Sequence, residues 1–346
     1  MRRAISRAMI LLAALTAGLS MPAAAAAPVK VVTTLPAYAS IASAVGGDKV
    51  QAASISGGSE DAHFVKPKPS YALMLKDADV FVTTGLDLEL WAPVLVDKSG
   101  NARIREGQPG YVNASQGVPL LEVPANPSRA AGDIHIYGNP HIHTSPLNAK
   151  IVAGNIAAGL KRVDPANAAY YDSRLAGFRQ RIDTALYGDQ LPKILGSATL
   201  DNLARQGKLI PFLQSRDYQG KKLISLLGGW LGKGMPFRNG KMVTYHKNWV
   251  YFTALFGINV VDDVEPKPGI PPSARHVHDL IEEMQAQKIP VVMAPDYYDP
   301  GQVQAITRRT GAKAVIVPLG PSSAGPDAYF NLIDNWVNQL AQAYAA

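Results

Sequence analysis

The sequence predicts an α/β protein made of two units, each built on a parallel sheet, and three observations carry that expectation. From Val29 onward, short β-branched runs alternate with helical stretches, which is the pattern of βαβ units and not of a sandwich. The alternation is interrupted by a long helical stretch at residues 164–188 and then resumes. A chain of 346 residues also exceeds one typical domain of ~100–150 residues, so two is the natural count.

The first segment is a leader. Arg2, Arg3 and Arg7 precede an apolar run at residues 9–19, and an alanine-rich stretch follows at residues 23–27, the layout of a secretory signal peptide. The run is shorter than the ~20 apolar residues that cross a bilayer, and no later stretch reaches that length. Residues 1–27 are therefore read as a signal peptide, with an exported, periplasmic mature chain. Cysteine is absent, so no lipid-modified cysteine provides a membrane anchor, and stability is expected to come from burial without disulfides.

The first unit is taken as residues 28–163. Residues 29–34 read as a strand, 37–45 as a helix, and 50–55 as a strand that runs into the loop at 56–63. A helix at 70–77, a strand at 80–84 and a helix at 88–95 follow. In the segment 164–188, Asp164 can cap a helix with Pro165 at its first position and Gly188 just past its end. Tyr171, Leu175, Phe178, Ile182 and Leu186 recur at three- and four-residue intervals and form one apolar stripe. Such a helix would be ~34 Å long, enough to run the length of a lobe.

The second unit is taken as residues 189–346, with strands at 242–245, 258–261, 289–294 and 314–317 and a helix at 249–255. Between 189 and 240 the pattern is irregular and includes Gly228, Gly229, Gly232 and Gly234, which predicts a turn-rich insertion. It is not a phosphate loop, because Lys233 is followed by Gly234 and not by Ser or Thr.

The formal charge of +7 includes the three leader arginines, and the other basic residues are scattered among acidic ones. No basic stripe is interleaved with aromatics, so nucleic acid is not an expected partner.

Seven histidines hold the chemistry. His63 follows a strand in Glu60-Asp61-Ala62-His63-Phe64. His141 and His143 lie in the turn-rich run at 138–146, just before a helix, and His246 ends the strand Val243-Thr244-Tyr245. In open parallel sheets, ligands bind beyond the carboxyl ends of strands, so His63, His141 and His246 can converge on one cleft. Neutral imidazole suits zinc, copper, iron and nickel. The three are far apart in sequence and form no local motif.

The segments Val31-Val32-Thr33-Thr34-Leu35-Pro36, the loop with His63, the run from Gly138 to Pro146, and Thr244-Tyr245-His246-Lys247-Asn248-Trp249 resemble, in order, the zinc and manganese solute-binding proteins of ABC transporters. Glu265-Pro266-Lys267-Pro268-Gly269-Ile270-Pro271-Pro272-Ser273 is similar to the segment that follows in one branch. The resemblance runs from about residue 29 to the end of the chain. It implies two α/β lobes joined by a long rigid helix, matched by residues 164–188, with metal in the interlobe cleft. It makes His63, His141 and His246 metal ligands. His143 falls where the family usually has an aromatic residue, which implies a supporting or vestibule role. His135 is expected at the entrance, and His276 and His278 on the surface.

Two departures bear on a fourth ligand. Asn139 stands where an Asp commonly precedes the Pro-His pair, and Val317 replaces a carboxylate near the last strand. Asp296, at another strand end, is the candidate replacement; a turn role for Asp296, with water completing the site, is the alternative. Three nitrogens and one oxygen suit tetrahedral zinc better than manganese. The function implied is a monomeric periplasmic receptor that delivers zinc (manganese being the second choice) to an inner-membrane ABC permease. A periplasmic zinc chaperone or adhesin on the same scaffold is the alternative, and a zinc hydrolase a more distant one. No His-Glu-x-x-His or Gly-x-Ser-x-Gly is present to support an enzyme, and no catalytic residue is expected.

Overall fold

The computed structural model describes residues 27–125, 135–267 and 269–345; the segment 1–27, read above as a signal peptide, lies almost wholly outside the described residues. The first sheet holds four parallel strands, β1 (Val29–Thr33), β2 (Val50–Ser54), β3 (Val80–Thr83) and β4 (Tyr111–Asn113), in the order β2-β1-β3-β4. Around it lie α1 (Pro36–Gly46), α2 (Pro69–Lys76), α3 (Ala92–Ser99) and α4 (Pro146–Val163). Proline at the first or second position starts each of these helices, where its missing N–H costs nothing.

The chain continues through α5 (Ala168–Tyr187). After it come α6 (Leu191–Leu195), α7 (Ser197–Arg205), α8 (Leu209–Ser215), the hairpin of β5 (Asp217–Tyr218) and β6 (Lys221–Lys222), and α9 (Gly229–Lys233). A second parallel sheet follows, from β7 (Lys241–Thr244), β8 (Asn259–Asp263), β9 (Val291–Pro295) and β10 (Lys313–Val317), in the order β10-β9-β7-β8. Its helices are α10 (Val250–Phe256), α11 (Ala274–Gln287), α12 (Pro300–Thr310) and α13 (Ala328–Ala345). Both sheets repeat one topology. The chain leaves β1, or β7, to one side and returns on the other, so each sheet has a switch point at the carboxyl ends of two central strands.

Three sequence expectations shift. The long helix starts at Ala168, because Asp164 ends α4 and Pro165–Asn167 form a 3-10 turn. Asp164 Oδ2 instead accepts from Asn167 and from Tyr171 Oη, at 2.7 and 2.6 Å. The expected apolar stripe is present, with Tyr171, Phe178, Ile182 and Leu186 buried. Residues 88–95 begin as a turn, since Gly85, Leu86 and Asp87 all have positive φ, and α3 starts only at Ala92. The 189–240 segment is mainly short helices rather than turns, because Leu191, Leu200, Leu209 and Leu213 bury against the core.

The largest apolar cluster is continuous across the two lobes, joining Ile41 and Val152 to Phe178, Trp249 and Trp336. At the cleft mouth the lobes also meet directly: Gly320 N donates to Gly58 O at 3.0 Å, and Ser59 Oγ to Asp296 Oδ2 at 2.7 Å. Among the described residues, no helix is long and apolar enough to cross a membrane.

Candidate metal centre

Each of three histidines is aimed by an oxygen acceptor at its ring Nδ1. His63 sits in the 3-10 turn Ala62–Phe64, where Asp61 accepts from the His63 backbone N at 3.0 Å and from ring Nδ1 at 2.7 Å. Trp91 Nε1 pins the same turn by donating to Ala62 O at 2.8 Å. His141 repeats the arrangement: Asn139 Oδ1 accepts from its backbone N and from Nδ1, both at 3.0 Å. Fully buried Asn139 is itself held, donating to Glu122 Oε2 at 3.0 Å and Lys247 O at 2.9 Å. His246 leaves β7 in an extended conformation, and its Nδ1 lies 3.0 Å from the carbonyl oxygen of Glu265.

In each case an oxygen acceptor fixes the proton on Nδ1, which makes Nε2 of the same ring the lone-pair nitrogen. One ring nitrogen of each of His63, His141 and His246 lies within 4.8 Å of the other two. His246 Nε2 is buried with no hydrogen-bond partner, a state that costs about 1–3 kcal/mol unless something binds it. His141 Nε2 faces Asn248 Nδ2 at 3.2 Å.

Burial keeps the His141 and His246 rings neutral. Burial, reinforced by the neighbouring imidazoles, holds His141 well below its ordinary value. Burial is also the first cause for His246, which falls to about 4 although the Glu265 carbonyl pulls the other way. For Asp61, burial pushes the carboxyl up, but the His63 hydrogen bond and charge together outweigh it, and the net shift is downward. Neutral imidazoles beside an ionised carboxylate suit a divalent cation.

The structure brings His135 closer than an entrance residue needs to be. Its Nε2 is 3.1 Å from His63 Nε2, and its ring centre lies 5.4 Å from those of His63 and His141 and 5.8 Å from that of His246. Burial, then the nearby imidazoles, lowers it to about 3. His143 is buried behind His141, with ring centres 6.4 Å apart and Nδ1 unpartnered. Asp296 is not in the cluster. It is exposed, and its carboxylate accepts from Ser59 across the cleft mouth. His278 is exposed, whereas His276 is half-buried, with Nε2 2.8 Å from Asp263 O.

The cavity beside the cluster is about 20 Å³, lined by His63, His141, His143, Leu88 and Tyr297. A single water needs ~10–15 Å³, so the space is of the size of a water or a bare ion.

The model of the family described as zinc-uptake complex component A, periplasmic, matches residues 31–186 and 231–343. The chain is 26% identical over 329 residues to the iron-binding protein YfeA of Yersinia pestis, covering 93% of this chain and 88% of that protein. It is 21% identical over 321 residues to the manganese ABC transporter substrate-binding lipoprotein PsaA of Streptococcus pneumoniae, covering 90% and 88%. Its fold is similar to a crystal structure of ZnuA, with a TM-score of 0.66 at 19% identity, over 92% of this chain and 99% of that one.

Proposed function

The chain belongs to the periplasmic zinc-uptake component A family, and from that premise we propose that it binds zinc at His63, His141, His246 and His135 and releases it to a membrane permease. Its relatives are metal-binding substrate-binding proteins of ABC transporters, with names specifying iron and manganese, and the family is one of receptors and not of enzymes. The chain is a metal receptor of that transporter class; the choice of metal is what the site chemistry argues.

One observation supports that choice above the others: three rings have Nδ1 tied to an oxygen acceptor, and their remaining nitrogens share one small space. An all-imidazole set favours zinc over manganese, which prefers carboxylate and water oxygens. His135 takes the fourth position in this reading. Two nitrogens on one tetrahedral zinc stand roughly 3.3 Å apart at Zn–N lengths of ~2.0–2.1 Å, and His63 and His135 already lie at 3.1 Å. Asp61 and Asn139 then orient ligands without touching the metal. The division into residues 28–163, a connecting helix and residues 189–346 is part of the same reading, as are an exported, unanchored monomer and a permease partner.

The test is metal analysis of protein purified from the periplasm without added metal, followed by competition titration of zinc against manganese. Near-stoichiometric zinc and a preference for zinc are expected. Indifference to both metals would overturn the site, and a preference for manganese would overturn the zinc assignment.

A further inference from the structure

The family match stops at residue 186 and resumes at 231, leaving α6, α7, α8 and the β5–β6 hairpin outside it. One helix of this segment reaches back to the site. Arg205, the last residue of α7, donates from Nη2 to Leu147 O at 2.8 Å and from Nη1 to Asn148 Oδ1 at 3.1 Å. Both acceptors belong to the first turn of α4, which begins five residues after His141. Asn148 is buried and passes the constraint on, its Nδ2 donating to Ile142 O at 3.3 Å. Ile142 is the residue between His141 and His143.

A second tie holds the residue that follows that turn. Lys150 is buried on α4 and bonds to Asp183 of α5 at 2.6 Å and to Asp201 of α7, and Asp201 also accepts from Tyr187 Oη at 2.9 Å. The start of α4 is thus clamped on one side by α5 and α7 and leads directly into the His141 loop on the other.

We propose that Arg205 is a positioning residue for the metal site, through which a segment outside the family match sets the approach of His141. This rests on the metal-site reading above. The guanidinium is a planar fork that fixes two acceptors at once; Arg205 itself is exposed, whereas the Asn148 amide that it holds is buried. Without Arg205, Asn148 Oδ1 loses its partner and the amide is free to turn, which releases Ile142 O. Binding constellations tolerate errors of only ~0.5 Å, so slack at Ile142 is expected to reach the metal.

The experiment compares zinc affinity, by competition, and the cobalt(II) visible spectrum in the parent, Arg205→Met, Arg205→Lys and Asp334→Asn, well below each melting transition. Met keeps the apolar stem and removes the donors. Arg205→Met is expected to lose about tenfold in zinc affinity and to shift the cobalt bands, and Lys, which keeps the charge on a single donor nitrogen but not the planar fork, to recover part of both. Asp334→Asn weakens the 2.7 Å bond from Trp230 Nε1 and serves as a stability control with parent-like affinity and spectrum. If Arg205→Met does not fold, Asn148→Ala breaks the same link and is expected to show the same loss. Parent-like affinity and spectrum in Arg205→Met, or in Asn148→Ala where that variant replaces it, overturn the proposal alone. A parent that binds neither zinc nor cobalt overturns it together with the metal-site reading.

Discussion

Two groups of metal-ligating side chains occur among the described residues, and distance does not separate them. His63, His141 and His246 have ligand atoms within 4.8 Å of one another, and so do His278, Asp279 and Glu282. The second group lies on α11 and is exposed, its histidine ring 3.7 Å from the carboxylates of both Asp279 and Glu282. Helical periodicity alone puts side chains four residues apart on one face, so that closeness requires nothing of the fold. The first group draws on two loops of one lobe and a strand end of the other, loses its solvent, and ties each spare ring nitrogen to an oxygen. Closeness obtained against desolvation indicates a ligand that offsets the cost; closeness obtained from a helix repeat does not.

The largest test of that contrast removes one histidine from each group. His246→Ala is expected to lower zinc affinity at least about 100-fold, since too few ligands remain for a closed site, whereas His278→Ala binds as the parent does. Calorimetric titration of both reads the result, and equal behaviour would erase the distinction.

A second test removes an orienting group. Asp61→Ala frees His63 Nδ1 and is expected to cost about 10–100-fold in zinc affinity, the range for lost outer-shell partners. Glu282→Ala, which strips a carboxylate from beside His278, is expected to change nothing in the same titration. A parent-like Asp61→Ala would mean that the ring needs no support.

The third test concerns protons. His143 and His246 are both held by burial at about 4 in the folded chain, against an ordinary value of 6.5. Between those values the unfolded chain takes up protons that the folded chain refuses, so the metal-free protein loses stability as pH falls from about 6.5 to about 4. Melting curves at several pH values check this, and His143→Gln is expected to show a shallower loss than the parent. No loss across that window would count against neutral buried rings.

The smallest expected effect belongs to Asp296→Ala. As a contact of Ser59 and not a ligand, Asp296 should alter equilibrium zinc affinity by no more than a few fold, in keeping with the small value of exposed polar pairs. A loss comparable to that of Asp61→Ala would return Asp296 to the ligand set.

Much of this was legible in the sequence. Alternating β-branched runs gave the strands of both sheets except the three-residue β4, because a strand buried on two faces has to be largely apolar. Strand-end position singled out His63, His141 and His246. A further signal was available and unused: Asp61 and Asn139 each stand two residues before a histidine, the spacing at which one oxygen reaches both the backbone N and the ring Nδ1. His135 had no such mark, since a loop residue's place depends on packing that no periodicity records. The place of Asp296 was not legible, because aspartate at a strand end serves a turn, a rim contact and a metal equally well. The support of His246 by the Glu265 carbonyl could not be read at all, as a backbone oxygen has no sequence identity.

Gly58 has one more consequence. A Cβ built there would stand 2.5 Å from the carbonyl oxygens of both Gly320 and Pro321, and neither backbone can swing aside as a side chain would. Position 58 therefore behaves as a one-letter position in any library of variants. Every replacement must part the lobes or displace a loop, so selection on the mouth of the cleft acts through a residue with no side chain to recognise.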